Sequence, residues 1–290
     1  MDERAALRLI DDLVQGAGDD AAVVNGLAIS TDMLHAETDY PEGVTRYTVG
    51  WRTIAVSLSD LAAVGATPAA TLAVYAPQRF EADAIEAFVS GAKDVSELVG
   101  ARYVGGDLDI ANELTTVGIG LGHVDGAIGR DGAEVGDVIV VSGTLGRGAL
   151  GVRYLERGDV EEGNRLFQIT PRVETGRYLA ASATSMIDSS DGLARSLHQL
   201  AEASGCGMAI VEDAIPIDDR LEGVANDTWS VRELGLFWGE DFELVATLPP
   251  DEVDNLVDDA PVDLSVIGEV TEAGVTIGGE ALPDRGYTHG

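Results

Sequence analysis

The stretch VGWRTIAVSLSDLAAVGATP, residues 49–68, decides the fold, because it predicts a long helix with a carboxylate on its packed side. We expect this helix over about residues 44–64, with Asp60 one turn after Val56 on the apolar face. Burying an unpaired carboxylate is costly, so a cation or a set of donors is expected in return. A metal-ligand role is favoured for Asp60, and an ion pair with Arg52 or another arginine is the alternative.

Acidic motifs recur around this helix. They are GDDAA at 18–22, STD at 30–32, GGD at 105–107, DSSDGL at 188–193 and GED at 239–241. Each places a carboxylate beside glycine, serine or threonine, where the backbone can approach a hard cation or a metal-bound phosphate. Together they predict a Mg²⁺-dependent phosphate site.

The STD and GGD motifs each allow two interpretations. Ser30 and Thr31 precede Asp32 at a strand end, so two hydroxyls and a carboxylate can supply the oxygen ligands that Mg²⁺ prefers. A turn closed by the same side chains fits equally well. Two glycines precede Asp107 and let a triphosphate or metal approach the main chain, although GGD is also common turn chemistry.

The DSSDGL motif predicts a strand-to-helix turn. Ser190 or Asp191 suits the N-cap of the following helix, whose N-terminus attracts phosphate and carboxylate oxygens. Asp188 is not needed for capping and is the better metal-ligand candidate. Asp191 fits a cap and a ligand equally.

Length and composition indicate a soluble protein of two α/β domains. The chain has 290 residues, and a glycine-rich, charged stretch at 130–137 separates two blocks of alternating strand and helix patterns. We therefore predict domains at 1–130 and 131–290. In the first, we expect helices over about 2–14 and 81–99. In the second, we expect helices over about 145–157 and 171–183, and a loop over 213–229.

Charge and cysteine content exclude several functional classes. The 51 acidic and 18 basic residues give a formal charge of −33, which opposes binding to nucleic acids and anionic lipids. A single lysine and 17 arginines indicate a salt-loving host, and an ordinary acidic cytosolic enzyme is the alternative. One cysteine excludes an intramolecular disulfide. The acidic start and the absence of a long apolar run indicate a cytoplasmic location.

The order of the motifs is informative in itself. GDDAAV, STDML, VGWRTIAVSLSDLAAVGATP, GGD, RDGAEVGDVIVVSGTLG, DSSDGL and GEDFEL resemble the thiamine-monophosphate kinase family over nearly the whole chain. That family belongs to the two-domain superfamily that includes aminoimidazole ribonucleotide synthetase. The resemblance implies an α/β (α+β) fold with mixed sheets flanked by helices and an active site in the interdomain cleft.

The resemblance also implies an activity and a set of site residues. The activity is ATP-dependent phosphorylation of thiamine monophosphate to thiamine diphosphate, by direct in-line transfer with several Mg²⁺ ions, in a homodimer formed through the strands of the first domain. The implied metal ligands are Asp20, Ser30, Thr31, Asp32, Asp60, Asp107, Asp188 and Asp191. The implied ATP contacts are Gly106, Asp107, Arg130 and Ser190, and the implied substrate contacts are Asp39, Glu240 and Asp284.

Two positions depart from the family pattern. A histidine-aromatic pair expected after the STD motif reads Asp39-Tyr40, and an aromatic residue expected near the C-terminus is Asp284, with Tyr287 close by. These departures affect recognition of the thiamine rings rather than the phosphate chemistry. Two alternatives to the kinase remain at this stage: a cyclo-ligase of the same superfamily, and a non-catalytic divalent-cation-binding protein.

Overall fold

The computed structural model describes residues 5–6, 9–10, 13–14, 18–226 and 228–288. The helix predicted over residues 2–14 therefore lies largely outside the described residues.

The first half of the chain forms a five-stranded sheet in the order β1-β2-β5-β3-β4, with two long helices on one face. Its elements are β1 (Ala22–Val24), β2 (Leu27–His35), α1 (Ala36–Asp39), α2 (Arg46–Ala63), β3 (Thr67–Ala76), α3 (Ala82–Leu98), β4 (Arg102–Leu108) and β5 (Thr115–His123). Neighbouring strands are antiparallel except for β3 and β4, which are parallel.

The second half forms a seven-stranded sheet in the order β12-β11-β8-β10-β6-β9-β7. Its elements are β6 (Val138–Ser142), α4 (Arg147–Glu156), α5 (Val160–Phe167), α6 (Val173–Leu179), β7 (Ser185–Asp188), α7 (Leu193–Ser204), β8 (Gly207–Ile210), α8 (Val231–Leu236), β9 (Leu244–Leu248), α9 (Val253–Asp258), β10 (Leu264–Thr271), β11 (Val275–Ile277) and β12 (Glu280–Ala281). The α/β class with mixed sheets, predicted from the sequence, is confirmed.

Helix α2 lies between the two halves and is buried on nearly every side. Thr45 starts the helix, since its hydroxyl accepts a hydrogen bond from the backbone N–H of Thr48. A Cβ at Gly50 would overlap the carbonyl oxygen of Phe88 on α3, so glycine lets the two helices cross closely. On its other side, the indole N–H of Trp51 donates to the carbonyl of Ile169 in the second half, at 2.6 Å. The helix is therefore a shared wall of both domains.

The predicted elements differ from the structure mainly after residue 158. Helix α5 and the strands from residue 264 onward were not predicted. Helix α5 has only eight residues, and β11 and β12 are shorter still, so each gives little sequence signal. The predicted loop at 213–229 contains two short 3₁₀ turns, at Glu212–Ala214 and Asp219–Gly223. Among the described helices, none has the length and apolar character required to cross a membrane.

The described helices leave one face of the five-stranded sheet uncovered. Its exposed apolar side chains include Ile29 and Met33 on β2 and Val104 on β4, with Met33 and Val104 each 53% exposed. On β2 these residues alternate with positions on the opposite face of the sheet. We call these three residues the outer-face patch.

Candidate functional site

Three aspartates from distant parts of the chain converge where α2 ends. One carboxylate oxygen from each of Asp20, Asp60 and Asp188 lies within 4.8 Å of the others. Asp20 precedes β1, Asp60 is near the C-terminus of α2, and Asp188 ends β7. The first two come from the first domain and the third comes from the second, so the cluster forms only when the halves pack together.

Neutral hydroxyl groups hold two of these carboxylates. The Ser30 hydroxyl donates to Asp60, and the Ser59 hydroxyl donates to Asp188 at 2.5 Å. Asp60 therefore does not rely on an ion pair with Arg52, which was the alternative at the sequence level. Asp20 instead receives two hydrogen bonds from the Arg130 guanidinium, at 2.7 and 3.1 Å.

Burial and neighbouring negative charges favour the protonated forms of Asp60 and Asp188. Burial, together with the neighbouring Asp20 carboxylate, raises the pKa of Asp188 to about 8. Burial also raises the pKa of Asp60 well above its usual value, and the charges of Asp188, Asp32 and Asp20 add to the effect. A divalent cation would reverse this balance by compensating the negative charges. The set of buried carboxylates and hydroxyl oxygens fits the oxygen ligands that Mg²⁺ requires.

A cavity of about 200 Å³ adjoins the cluster and is lined from both domains. The first domain contributes Asp32, Met33, Leu34, Asp39, Val56 and Asp60, and the second contributes Ser190, Asp191, Glu240, Phe242 and Tyr287. The interdomain cleft thus brings together part of each predicted set, with Ser190 as the one predicted ATP contact in its lining. Of the two departures from the family pattern, Asp39 lies in this lining and Tyr287 supplies an aromatic side chain.

The GED loop reaches the cavity in a constrained backbone conformation. Glu240 and Phe242 have φ angles of 66° and 54°, in the left-handed region that residues with a Cβ rarely adopt. Between them, the Asp241 carboxylate accepts hydrogen bonds from the backbone N–H groups of Gly146 and Gly148 at 2.7 and 2.9 Å. Burial raises the pKa of Asp241 to about 7, although these N–H groups favour its charged form. Asp241 therefore anchors the loop to the start of α4.

Other predicted residues lie away from the cluster. Gly106 lies three strands away from Asp32, since the register across the sheet runs through Asp32, Gly118, Ala73 and Gly106. Three strand spacings separate Gly106 from Asp32, about 14 Å at ~4.8 Å per strand. Gly106 and Asp107 border a second cavity of about 230 Å³, lined by apolar and aromatic side chains that include Tyr75, Phe88 and Tyr103.

Three more predicted residues have distinct surroundings. Thr31 is exposed, on the face of β2 opposite to Ser30 and Asp32. Asp284 pairs with Arg195 at 2.7 Å and is not in the lining of the cleft. The N-cap of α7 is Gly192, so neither Ser190 nor Asp191 occupies the N-cap position considered for it.

Sequence reasoning missed the residues that support the site from behind. Ser59 holds Asp188, Asp241 anchors the GED loop, and Arg52 donates to Glu240. Ser59 and Arg52 carried a weak signal, since both are polar residues within an apolar helix. Their partners lie more than a hundred residues away, so spacing along the chain could not reveal them.

This fold and site define a class of protein. Residues 18–124 match the AIR synthase related protein, N-terminal domain, and residues 134–279 match the AIR synthase related protein, C-terminal domain. The two matches span most of the chain, which places it among the AIR synthase related proteins.

Similarity over the full length identifies the family within that class. The thiamine-monophosphate kinase of Halobacterium salinarum is 52% identical over 100% of both chains, and that of Methanospirillum hungatei is 37% identical over 100% of this chain and 99% of its own. Among solved structures, AaThiL complexed with AMPPCP and TMP superposes with a TM-score of 0.91 at 28% identity, covering 99% of this chain and 97% of that one. The chain belongs to the thiamine-monophosphate kinase family.

Proposed function

We propose that the protein transfers the γ-phosphoryl group of ATP to thiamine monophosphate, giving thiamine diphosphate and ADP. The observation that carries this proposal is the convergence of Asp20, Asp60 and Asp188 beside a cleft that also contains Glu240 and Tyr287. Full-length similarity to thiamine-monophosphate kinases and to a ThiL complexed with AMPPCP and TMP supports the choice of substrates. Use of ATP also favours a cytoplasmic location.

The residues that would hold Mg²⁺ are the three clustered aspartates, with Ser30, Asp32 and Asp191 at the edge of the same site. Bound Mg²⁺ would neutralise the charge that builds up between two phosphorylated substrates. The protein supplies alignment, because three rigid elements fix the carboxylates and the cleft holds both substrates close together. Cleavage of the bond from the γ-phosphorus to its bridging oxygen releases ADP, and an oxygen of the thiamine phosphate forms the new bond to phosphorus.

The remaining predicted contacts complete the proposal. The aromatic cavity beside Gly106 and Asp107 suits the adenine base, because stacking between a base and aromatic side chains is favourable even without hydrogen bonds to the base. In the cleft, the carboxylates of Asp39 and Glu240 and the ring of Tyr287 suit the cationic thiazolium. Asp284 contributes indirectly, since its ion pair with Arg195 holds the segment that carries Tyr287.

The direct test measures ADP release with two candidate acceptors. We expect turnover with thiamine monophosphate and none with formylglycinamidine ribonucleotide, the cyclo-ligase substrate. Turnover with only the second would establish the alternative enzyme. A non-catalytic cation-binding protein would release no ADP with either compound, although it would bind Mg²⁺. Trapping of radiolabelled phosphate on the protein after rapid quenching would contradict direct transfer.

We also propose that the protein is a homodimer that buries the outer-face patch. An exposed apolar sheet face, left uncovered by the described helices, is typical of a protein–protein interface. Light scattering after gel filtration should show a dimer for the parent and a monomer for Met33→Glu and Val104→Glu. As a matched control, Val211→Glu changes an equally exposed valine in the second domain and should leave the dimer intact. A dimer that persists in both patch variants would place the interface elsewhere.

A further inference from the structure

Arg52 is a completely buried cation that connects the two domains. Its side chain is 0% exposed within α2, and Nη2 donates to the Glu240 carboxylate across the domain boundary. Nη1 donates to the carbonyl oxygen of Phe167 at 3.0 Å, and the guanidinium carbon lies 3.8 Å from the centroid of the Phe167 ring. A charge buried this deeply needs such partners, so they fix the side chain in one position.

The position of the Arg52 guanidinium leaves one of its own hydrogen-bond donors unsatisfied. Arg52 Nε is buried and has no hydrogen-bond partner among the described residues. An unpaired buried donor is unfavourable, so its position is explained by what the other two nitrogens hold. One of them holds Glu240, whose side chain is 28% exposed and lines the cleft.

Glu240 needs a restraint of this kind. Its backbone is in the left-handed region, which is unfavourable for a residue with a Cβ, and its N–H donates to the Ser190 carbonyl at 2.6 Å. These contacts fix the main chain but leave the long side chain several rotamers. The ion pair with Arg52 selects the one in which the carboxylate stays at the cleft wall.

The same helix also carries a member of the aspartate cluster. Arg52 and Asp60 are eight residues apart on α2, which corresponds to about 12 Å along a helix with a rise of 1.5 Å per residue. A single rigid element therefore sets the spacing between the carboxylate at the cleft wall and the carboxylates that would hold the metal. Small errors in such a spacing reduce phosphoryl transfer because the reacting oxygens lose their alignment.

We propose that Arg52 is a positioning residue that acts through Glu240 to set the place of the phosphoryl acceptor relative to the aspartate cluster. This inference rests on the proposed function, since it concerns the acceptor site of the same reaction. Arg52 lies behind the cleft wall and does not line the cavity, so its effect on the acceptor passes through the Glu240 carboxylate.

The test is a double-mutant cycle with Arg52→Met, Glu240→Gln and the combined variant, reading KM for thiamine monophosphate and for ATP separately. We expect Arg52→Met to raise the KM for thiamine monophosphate about tenfold, as for a lost charge-assisted hydrogen bond, and to change the KM for ATP less than about twofold. In the Glu240→Gln background, the same substitution should add less than about twofold. Calorimetric titration with thiamine monophosphate should show the same pattern in affinity.

Controls separate positioning from general stability. Arg172→Met breaks another buried arginine–glutamate pair, with Glu243, that does not line the cleft, and should lower stability without changing either KM. Arg52→Lys keeps the charge and should recover part of the affinity if Arg52→Met does not fold. Equal effects of Arg52→Met in both backgrounds, or an equal rise in the KM for ATP, would overturn the inference. Absence of thiamine diphosphate formation by the parent protein would instead refute the proposed function.

Discussion

Replacing Asp188 with asparagine should stabilise the metal-free protein while abolishing its activity. The substitution keeps the shape of the side chain, and an amide oxygen can still accept the hydrogen bond from Ser59. It removes one of three carboxylates that lie within 4.8 Å of one another. The three carboxylates would thus lower the stability of the metal-free protein, and the same carboxylates would allow it to bind a cation.

The expected magnitude follows from the separation of the carboxylates. Two unit charges no more than 4.8 Å apart repel by at least about 3 kcal/mol at an effective dielectric constant of about 20. The Arg130 guanidinium offsets part of this repulsion. In addition, the N–H₂ group of the new amide cannot accept the hydrogen bonds that the carboxylate oxygen accepted. We therefore expect a net gain of about 2 kcal/mol in the free energy of unfolding at pH 8, or roughly 5 °C in Tm.

The pH dependence provides a further check. The pKa of Asp188 in the folded state is about 8, above its usual value of 3.8, so the folded protein retains a proton that the unfolded chain releases. The contribution of Asp188 to the free energy of unfolding therefore falls as pH rises from about 4 to about 8. The advantage of Asp188→Asn should be absent near pH 4, where the aspartate is neutral in both states, and should grow across that window.

The assay is thermal unfolding in EDTA at a fixed, high KCl concentration, from pH 4 to pH 8. Asp125→Asn, which changes an exposed carboxylate, serves as the control and should shift Tm by less than about 1 °C at any pH. If Asp188→Asn were less stable than the parent at pH 8 in EDTA, repulsion among the three carboxylates would not control the stability of the cluster. The account of the cluster as a cation site would then lose its electrostatic basis.

Three further predictions concern metal, packing and salt. Adding Mg²⁺ should raise the Tm of the parent more at pH 8 than at pH 5, because the carboxylate ligands must be ionised to bind the ion. The Asp60→Asn variant should lose this rise in Tm. An equal rise in that variant would place the ions elsewhere. Gly50→Ala should cost about 3 kcal/mol in chemical unfolding, since its Cβ would overlap the backbone of Phe88, whereas Gly223→Ala, in open space, should be nearly neutral. Lowering the KCl concentration from about 3 M to 0.1 M should unfold the protein, because its formal charge of −33 is then screened less. Circular dichroism would follow the unfolding. Full stability in dilute buffer would show that the acidic surface does not require salt.

The sequence carried the fold class because the relevant signals are local. The apolar pattern around Asp60 predicted helix α2 to within two residues at each end, and the DSSDGL motif marked the strand end at Asp188. Asp32, predicted at a strand end or in a turn, instead lies inside β2, so that local prediction was wrong. The order of the motifs also indicated the family, which the matches over the full chain confirm. Helix α5 was missed although it is amphipathic, because a segment of eight residues gives only a short signal along the chain.

The composition of the site required the tertiary structure. Residues that look equivalent in sequence separate in space. Asp20, Asp60 and Asp188 meet, whereas Asp107 lies on an edge strand next to Gly106, which is about 14 Å across the sheet from Asp32. The ion pair between Arg52 and Glu240 joins positions 188 residues apart along the chain.

By itself, then, the sequence determined which residues were chemically suited to hold cations and phosphates, because residue type and local spacing are properties of the chain. Only the folded structure decided which of them act together. Contacts between distant segments depend on how the two sheets pack against α2, and that packing minimises the free energy of the whole molecule rather than of any one motif.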